Sequence, residues 1–424
     1  MKLVNENKLL SLAWQIVDQL EAVGHAAYLV GGFVRDQLLG RKINDIDIAT
    51  SALPEQVMAL FKRAEPTGLQ HGTITVIEEG IPFEVTTFRC ESDYTDGRRP
   101  DKVHFIEDLA EDLSRRDFTM NAMALGRQLE LIDPYGGRDD LRLGRIRCVG
   151  QAERRFSEDA LRMLRCIRFA AEYGLTVERE SWLALLGHAS SIAQIAMERV
   201  RSELERIVEG SGPLRVMRLL AESKLSDDFR APFVVDLNRL FASDKSELLT
   251  ALETIDKPQL RWPFLYLVAE VQAEQAAKWM TSWTFPTWKI QESIRILSLH
   301  EAIAVDSSME SLERRWQIAV LQFGPSAAER WLELIAKMNR MTQLQNKTIE
   351  VLLIHGQGWL SNMPITSMNQ LVVSGKDLLE EGFPSGPKMG KLLRRLLEAV
   401  ALGEVTNERS TLMLLAKRFW SEEE

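Results

Sequence analysis

Tyr28–Thr50, YLVGGFVRDQLLGRKINDIDIAT, decides the fold of the first part of the chain. Tyr28 to Val30 is a short apolar run with strand character, Gly31-Gly32 is a turn, and Phe33 to Leu39 has helical spacing that stops at Gly40. The order is strand, glycine turn, helix. Glycines at such a joint let the backbone approach a ligand closely, and the free N–H groups and positive dipole end of the new helix favour an anion such as a phosphate. Arg35 adds positive charge one turn in. Farther on, Ile43 to Ala49 alternates apolar and acidic residues, so as a strand it places Asp45 and Asp47 on one face and Ile46 and Ile48 on the other. Two carboxylates then converge on one point. Beside a phosphate-holding turn, such a pair suits Mg2+ bridging an incoming triphosphate, because Mg2+ takes one or two carboxylates and fills its octahedron with phosphate oxygens and water.

With Arg35 and Asp36 behind the glycines and the aspartate pair close after them, the full string resembles the signature of the polymerase-beta-like nucleotidyltransferases. More specifically, it resembles the bacterial class II CCA-adding enzymes and their relatives the bacterial poly(A) polymerases. The expected fold is α+β: a small mixed-sheet nucleotidyltransferase head followed by an elongated all-helical neck, body and tail. The expected division is a head over 1–150, a neck over 151–210, a body over 211–358 and a tail over 359–424.

The chain has 424 residues, enough for several domains, with 27% charged and 45% hydrophobic residues, as in a soluble globular protein. A net charge of −9 argues against a strongly basic nucleic-acid coat, although a local basic groove can coexist with an acidic total. No apolar run is long enough to span a bilayer, and the start, MKLVNENKLLSLAWQ, lacks a signal-peptide core. A cytoplasmic location without membrane contact is expected. Cys90, Cys148 and Cys166 have no C-x-x-C spacing, so neither disulfides nor zinc is suggested. The six histidines are scattered and none forms a His-Asp pair.

The rest of the head reads as mixed α and β. Pro54 to Phe61 is a helix with Ser51 as its expected cap, and Thr73 to Ile77 and Phe83 to Phe88 are strands joined by the Glu79-Gly80 turn. If the second of these pairs near the aspartate strand, Glu84 could be a third carboxylate beside the metal; as readily, it points outward or pairs with an arginine. Cys90 to Lys102 is a polar loop interrupted by Gly97 and Pro100. In Asp112 to Ala124, DLSRRDFTMNAMA, a helix is expected near Phe118 with Asp117 as cap, and Arg115 and Arg116 lie before it, within reach of a triphosphate. The resemblance makes RRDFTMNA a family mark and Arg116 a nucleotide contact. It also assigns the loop bearing Asp93, Asp96, Arg98 and Arg99 to the final switch to adenosine, which favours a complete CCA-adding enzyme over a CC-adding one.

From Arg138 to Arg168 there are nine arginines against five acids, a local basic excess. Within it RFSEDALRMLRCIRFAAEYG, Arg155 to Gly174, reads as one helix in which Ser157 can cap and Asp159 and Arg162 lie about a turn apart. An ionised Asp only accepts hydrogen bonds and an Arg only donates them. Cytosine and adenine both present an amino donor beside a ring-nitrogen acceptor, whereas uracil and guanine present the reverse, so one Asp and one Arg can select C and A together. An ordinary surface ion pair is the competing reading. The resemblance gives the template role to Glu158, Asp159 and Arg162, adds nucleotide contacts from Arg165 and Arg168, and assigns Arg199 and Glu203 to supporting that helix.

Beyond Gly174 no strand is expected, only amphipathic helices, one over Ile192 to Val208. Most of the ten tryptophans are expected in the core. Near the end, the Gly-Pro-Lys-x-Gly turn before a basic helix at Lys391 to Val400 offers N–H groups and Lys388 to a phosphate backbone, and resembles the part of the family that grips tRNA. The family reading implies tRNA, ATP and CTP as partners and Mg2+ as cofactor, in a monomer or homodimer. A poly(A) polymerase is the alternative enzyme, and an RNA-binding protein with a degenerate head the alternative of another class.

Overall fold

The computed structural model describes residues 2–92, 102–233, 237–304, 312–342 and 346–422. The loop residues Asp93, Asp96, Arg98 and Arg99 lie outside them. The chain divides into two compact units, Met1–Arg230 and Ala231–Glu424.

The first unit opens with helix α1 (Lys2–Ala22) and strand β1 (Ala27–Val30), followed by α2 (Gly32–Leu38), β2 (Asp47–Thr50), α3 (Pro54–Leu60), β3 (Ala64–Gly68), β4 (Thr73–Glu78) and β5 (Ile81–Thr87). Strands β6 (Arg89–Ser92) and β7 (Lys102–Phe105) form a separate antiparallel pair. Helix α4 (Leu109–Ser114), β8 (Ala124–Leu125), β9 (Leu131–Ile132) and α5 (Gly137–Arg142) complete the head. The sheet is seven-stranded in the order β3-β4-β5-β2-β1-β8-β9, antiparallel except where β2 runs parallel to β5. Val30, Ala49, Phe88, Leu113, Ala122, Ala124 and Val149 pack together as a core on it. The mixed sheet follows from hairpins at β4–β5 and β8–β9 combined with the crossover from β2 to β5.

Several boundaries differ from expectation, each for a local reason. The aspartate strand pairs only from Asp47 onward, since Val30↔Asp47 is the first partner in the β1–β2 register. Asp45 therefore precedes the strand. Ser51 does not cap α3: its hydroxyl accepts from the Ala26 N–H, and the Leu53 N–H at the helix start is satisfied by the Gln56 side chain at 2.7 Å. The β4–β5 turn is as expected, with Glu79 and Gly80 both at positive φ (47° and 81°), as a two-residue hairpin requires. The helix expected near Phe118 is only a 3₁₀ turn over Thr119–Asn121.

Next come α6 (Ala152–Glu158) and α7 (Leu161–Glu172), where one helix was expected. The break is at Asp159, whose backbone is extended (φ −150°, ψ 104°) and whose Oδ1 accepts from the Leu161 N–H at 3.1 Å. Asp competes with the helix for its own backbone in this way. Ser157 is inside α6 and donates to Arg154 O, so it caps nothing. Past Gly174 a short strand, Thr176–Val177, pairs in parallel with Arg145–Ile146, contrary to the all-helical expectation there. Helices α8 (Arg179–His188), α9 (Met197–Glu209) and α10 (Pro213–Ser223) follow, α9 starting after a 3₁₀ segment rather than at Ile192.

In the described residues of the second unit all the regular structure is helical, from Leu237–Ala242 to Arg409–Glu422. Trp262, Trp283, Trp316 and Trp331 are buried in it, and the last three donate Nε1–H to Pro232 O, Gly356 O and His300 Nδ1. A buried indole needs such a partner, so these rings are core rather than stacking platforms. Near the end a helix begins at Pro387 rather than Lys391, because Gly386 adopts φ 141° and Pro387 is pre-set for the first helical position, which puts Lys388 in the first turn. Among the described residues no helix is long and apolar enough to cross a membrane.

Candidate active site

A cleft of ≈ 740 Å³ in the first unit is lined by residues of the β1–α2 joint, β2, β5, the Arg115–Asn121 segment, α7 and α9. It brings together Gly31, Gly32, Arg35, Asp45, Asp47, Glu84, Arg116, Asp159, Arg162, Arg165, Arg168 and Arg199 from positions up to 168 residues apart. Glu158 and Glu203 stand behind its wall, and Lys388 belongs to the second unit.

The floor is acidic. The β2–β5 register, Ile48↔Val85, sets Glu84 beside Asp47 across neighbouring parallel strands, and Asp45 lies just before. Confinement in the cleft, then Glu84, then Asp45 push the Asp47 carboxyl up to about 6, with Arg116 pulling the other way. Crowded carboxylates favour a shared proton or a cation. Among the described residues no three acidic, histidine or cysteine side chains are arranged to hold a metal by themselves. A hard-oxygen pair that leaves most of the shell to substrate and water is the donor set that suits Mg2+.

One wall is built on arginines, each fixed from behind. Arg35 is 6% exposed, bonds Asp36 through Nε and Nη2, and donates Nη1–H to Asn121 Oδ1 at 2.7 Å. Arg115 pairs with the buried Asp112 at 2.9 Å, whereas Arg116 reaches it only at 3.5 Å and donates to Asn121 O at 3.3 Å. The Arg116 Nε is buried with no partner, so this guanidinium has unspent donors. Burial lowers its pKa while Asp112 opposes the shift. Gly31 is necessary here, since at φ +68° a Cβ would stand 2.8 Å from Arg116 Nη1. Its own N–H is spent on Met123 O at 3.2 Å, so any anion at this turn meets the N–H groups of α2 rather than that of Gly31.

The opposite wall is the α6–α7 junction. Asp159 Oδ2 accepts from Arg199 at 2.8 Å, and Arg162 pairs with Glu158 at 2.6 Å and donates to Arg155 O and Arg115 O. Asp159 sits in the break between the two helices and Arg162 in the first turn of α7, still one turn apart since the Arg162 N–H donates to Asp159 O at 3.0 Å, and both face the cleft. Arg165 pairs with Asp117 at 2.6 Å, and Arg168 with Glu203 at 2.8 Å and Glu172 at 3.1 Å. Asp117 also accepts from the Phe118 N–H and Asn121 Nδ2, and against its burial Arg165, Asn121 and Arg162 hold its carboxyl down at about 2. Asp112, Asn121, Phe169 and Tyr173 were not foreseen. The i,i+4 spacings Asp112–Arg116, Arg165–Phe169 and Phe169–Tyr173 were the available signal.

Comparison with known proteins identifies the family. Residues 27–147 match the poly A polymerase head domain, and 253–416 match tRNA nucleotidyltransferase domain 2. The CCA-adding enzyme of Leuconostoc mesenteroides is 34% identical over 409 residues, 96% of each chain. That of Geobacillus stearothermophilus is 36% identical over 412 residues, 93% of each chain. The crystal structure of the Bacillus stearothermophilus CCA-adding enzyme in complex with CTP superposes with a TM-score of 0.76 at 35% identity, covering 96% of this chain and 97% of that one. A Thermotoga maritima CCA-adding enzyme complexed with tRNA shares the fold, with a TM-score of 0.61 at 21% identity. On the matched head domain and the nearly full-length similarity together, the chain belongs to the family of CCA-adding enzymes, nucleotidyltransferases of the poly(A) polymerase type.

Proposed function

We infer that this chain adds C, C and A in turn to the 3′ end of tRNA, taking the nucleotides from CTP and ATP and releasing pyrophosphate. The observation that carries this is the single cleft with an acidic floor, an arginine wall and the Asp159–Arg162 junction facing it. Similarity to named CCA-adding enzymes over more than nine-tenths of the chain supports CCA addition over poly(A) or CC addition. The site of action is then the cytoplasm, where tRNA is matured.

In this reading Asp45 and Asp47 hold Mg2+, with Glu84 alongside. Such a site would hold two Mg2+ ions, and the chemistry they would supply is charge neutralisation of the triphosphate and a lowered pKa for the RNA 3′-hydroxyl that attacks the α-phosphate in line. The chain itself does the positioning. Arg35 and Arg116, both lining the cleft, take the triphosphate. The Gly31-Gly32 turn leaves room for both the guanidinium and the phosphates.

Asp159 accepts from the exocyclic amino group of cytosine or adenine, and Arg162 donates to the adjacent ring nitrogen. Arg199 and Glu158 keep those two side chains from turning away, while Arg165 and Arg168 extend the wall. A base with the reverse pattern opposes donor to donor and acceptor to acceptor, the kind of mismatch that gives large discrimination. The Cys90–Lys102 loop serves the change from C to A, and Lys388 contacts the tRNA backbone. We read the functional division as head (1–150), neck (151–210), body (211–358) and tail (359–424), the first two, up to residue 210, falling in the first compact unit.

The test is tRNA lacking its 3′ CCA, incubated with Mg2+ and CTP, ATP or both. Two additions with CTP and a third only when ATP is present support the reading. Long tails with ATP alone would make the chain a poly(A) polymerase, and arrest after two cytidines a CC-adding enzyme.

A further inference from the structure

Phe169, two turns beyond Arg162 on α7, is 7% exposed and has three guanidinium groups around its ring: Arg168 at 4.1 Å, Arg165 at 5.3 Å and Arg35 at 5.5 Å from the centroid. One turn on, Tyr173 has Arg35 at 4.3 Å and Arg41 at 4.4 Å. All five distances lie inside the range in which a cation is attracted to a ring face. The origin of the cations matters more than their number. Arg35 and Arg41 belong to α2 and the turn after it, in the head, whereas Arg165 and Arg168 are on the same helix as the rings. The two aromatic rings lie 5.9 Å apart, and Phe118 closes the other side of Phe169 edge-on at 6.0 Å. The contact between the phosphate-facing helix and the base-facing helix thus includes cations of the head set against rings of α7 and its end.

We propose that Phe169, with Tyr173, is a positioning residue for nucleotide binding: a cation–π joint that fixes the distance between the triphosphate contacts on α2 and the base-selecting contacts at the start of α7. The physical need is plain. One nucleotide must touch Arg35 at its phosphates and Arg162 at its base, and neither helix is bonded covalently to the other near the cleft. Ordinary apolar packing would hold the helices together but would not align guanidinium groups. A ring face does, because the attraction depends on the cation standing over the π-system, and the same ring serves a head arginine and two neck arginines at once. Each arginine keeps its acidic partner, Asp36, Asp117 or Glu203, so the ring tunes direction rather than supplying the countercharge.

This rests on the nucleotide assignment above, and the experiment separates the two. Phenylalanine at 169 is replaced in the full-length chain by its mono-, di- and trifluoro forms, which drain the ring's negative face with little change of shape, and by Phe169→Leu as the limit. Direct binding of CTP is measured, together with UTP misincorporation and the thermal midpoint. Stepwise loss of CTP affinity with fluorination is expected, reaching roughly three- to tenfold, with UTP misincorporation rising and the midpoint flat. A CTP affinity that ignores fluorination, or falls only in step with the midpoint, overturns the proposal and leaves Phe169 a packing residue. Should the unsubstituted protein bind CTP but add nothing to tRNA, the functional reading fails while the fluorine series still reports on the joint.

Discussion

At the scale of single residues the cleft depends on groups whose neighbours leave them little freedom. Gly31 is the clearest case, with positive φ and Arg116 against the place of its missing Cβ. Gly31→Ala should cost about 1–2 kcal/mol in backbone strain and displace Arg116, so CTP binding should weaken more than stability falls; titration of CTP against a denaturation curve checks this. Asp45→Asn or Asp47→Asn removes a ligand from the proposed metal site and should lower turnover by at least about a hundredfold while leaving tRNA affinity intact in a filter or shift assay; near-normal turnover would sink the metal assignment. Asp117 should contribute to acid stability. Its folded carboxyl titrates at about 2 because of Arg165 and Asn121, below its unfolded value, so the folded state binds fewer protons as pH falls. The stabilisation, on the order of 2 kcal/mol, is whole above the unfolded pKa and disappears as pH drops through the folded one. Urea midpoints across that window should show the loss in the wild type and a flatter acid limb in Asp117→Asn. Much of the site is legible from residues alone, because the Gly-Gly turn, the aspartate pair and the Asp159–Arg162 couple each carry their own chemistry. The role of Asn121 was not legible although it stands in the RRDFTMNA string, since its bond to Arg35 spans 86 positions.

At the scale of elements, the reading of the sequence was best where period and turn chemistry agreed, as in the β4–β5 hairpin. It failed where a side chain competes with its own backbone. Helical spacing runs through Arg155–Gly174 without a break, yet Asp159 takes the Leu161 N–H and splits it in two. Hydrophobic pattern cannot register that, because the apolar residues keep their phase on both sides. The break also frees Asp159 from the helix surface so that Arg199, on α9, can hold it toward the cleft. Asp159 thus serves two ends that substitutions can separate. Asp159→Ala should lose both, with helix-start stability falling by about 1 kcal/mol and base selection relaxed. Asp159→Asn keeps an oxygen for the Leu161 N–H, so its midpoint should stay near that of the wild type, but it surrenders the charge paired with Arg199 and offers a donor where cytosine offers one too. Competition between CTP and UTP decides it: unchanged preference in Asp159→Asn would mean that the carboxylate does not read the base.

For the whole molecule, a net charge of −9 has to be reconciled with an RNA substrate. The cleft resolves this locally, with eight arginines against six acids among its lining residues. Every one of those residues is in Met1–Arg230, which also holds its own sheet and core. The second unit has a separate, tryptophan-rich core and the Pro387-initiated helix with Lys388 in its first turn. If the first unit selects and reacts the nucleotide and the second mainly holds the tRNA, the two tasks should separate on truncation. A chain ending at Arg230 should bind CTP about as well as the full protein, because no lining residue is lost. Its KM for tRNA should rise steeply, with kcat at saturating tRNA falling much less, since contacts remote from the reacting atoms mainly contribute uniform binding. Lys388→Ala in the full chain should move the same way by a smaller step and should reduce the dependence of tRNA binding on salt by roughly one phosphate contact. Steady-state kinetics with tRNA varied at fixed CTP, repeated at two salt concentrations, measures both. Equal KM for the truncated and full chains would mean that the first unit carries the tRNA site as well. A fall in CTP affinity on truncation would mean instead that the second unit shapes the cleft.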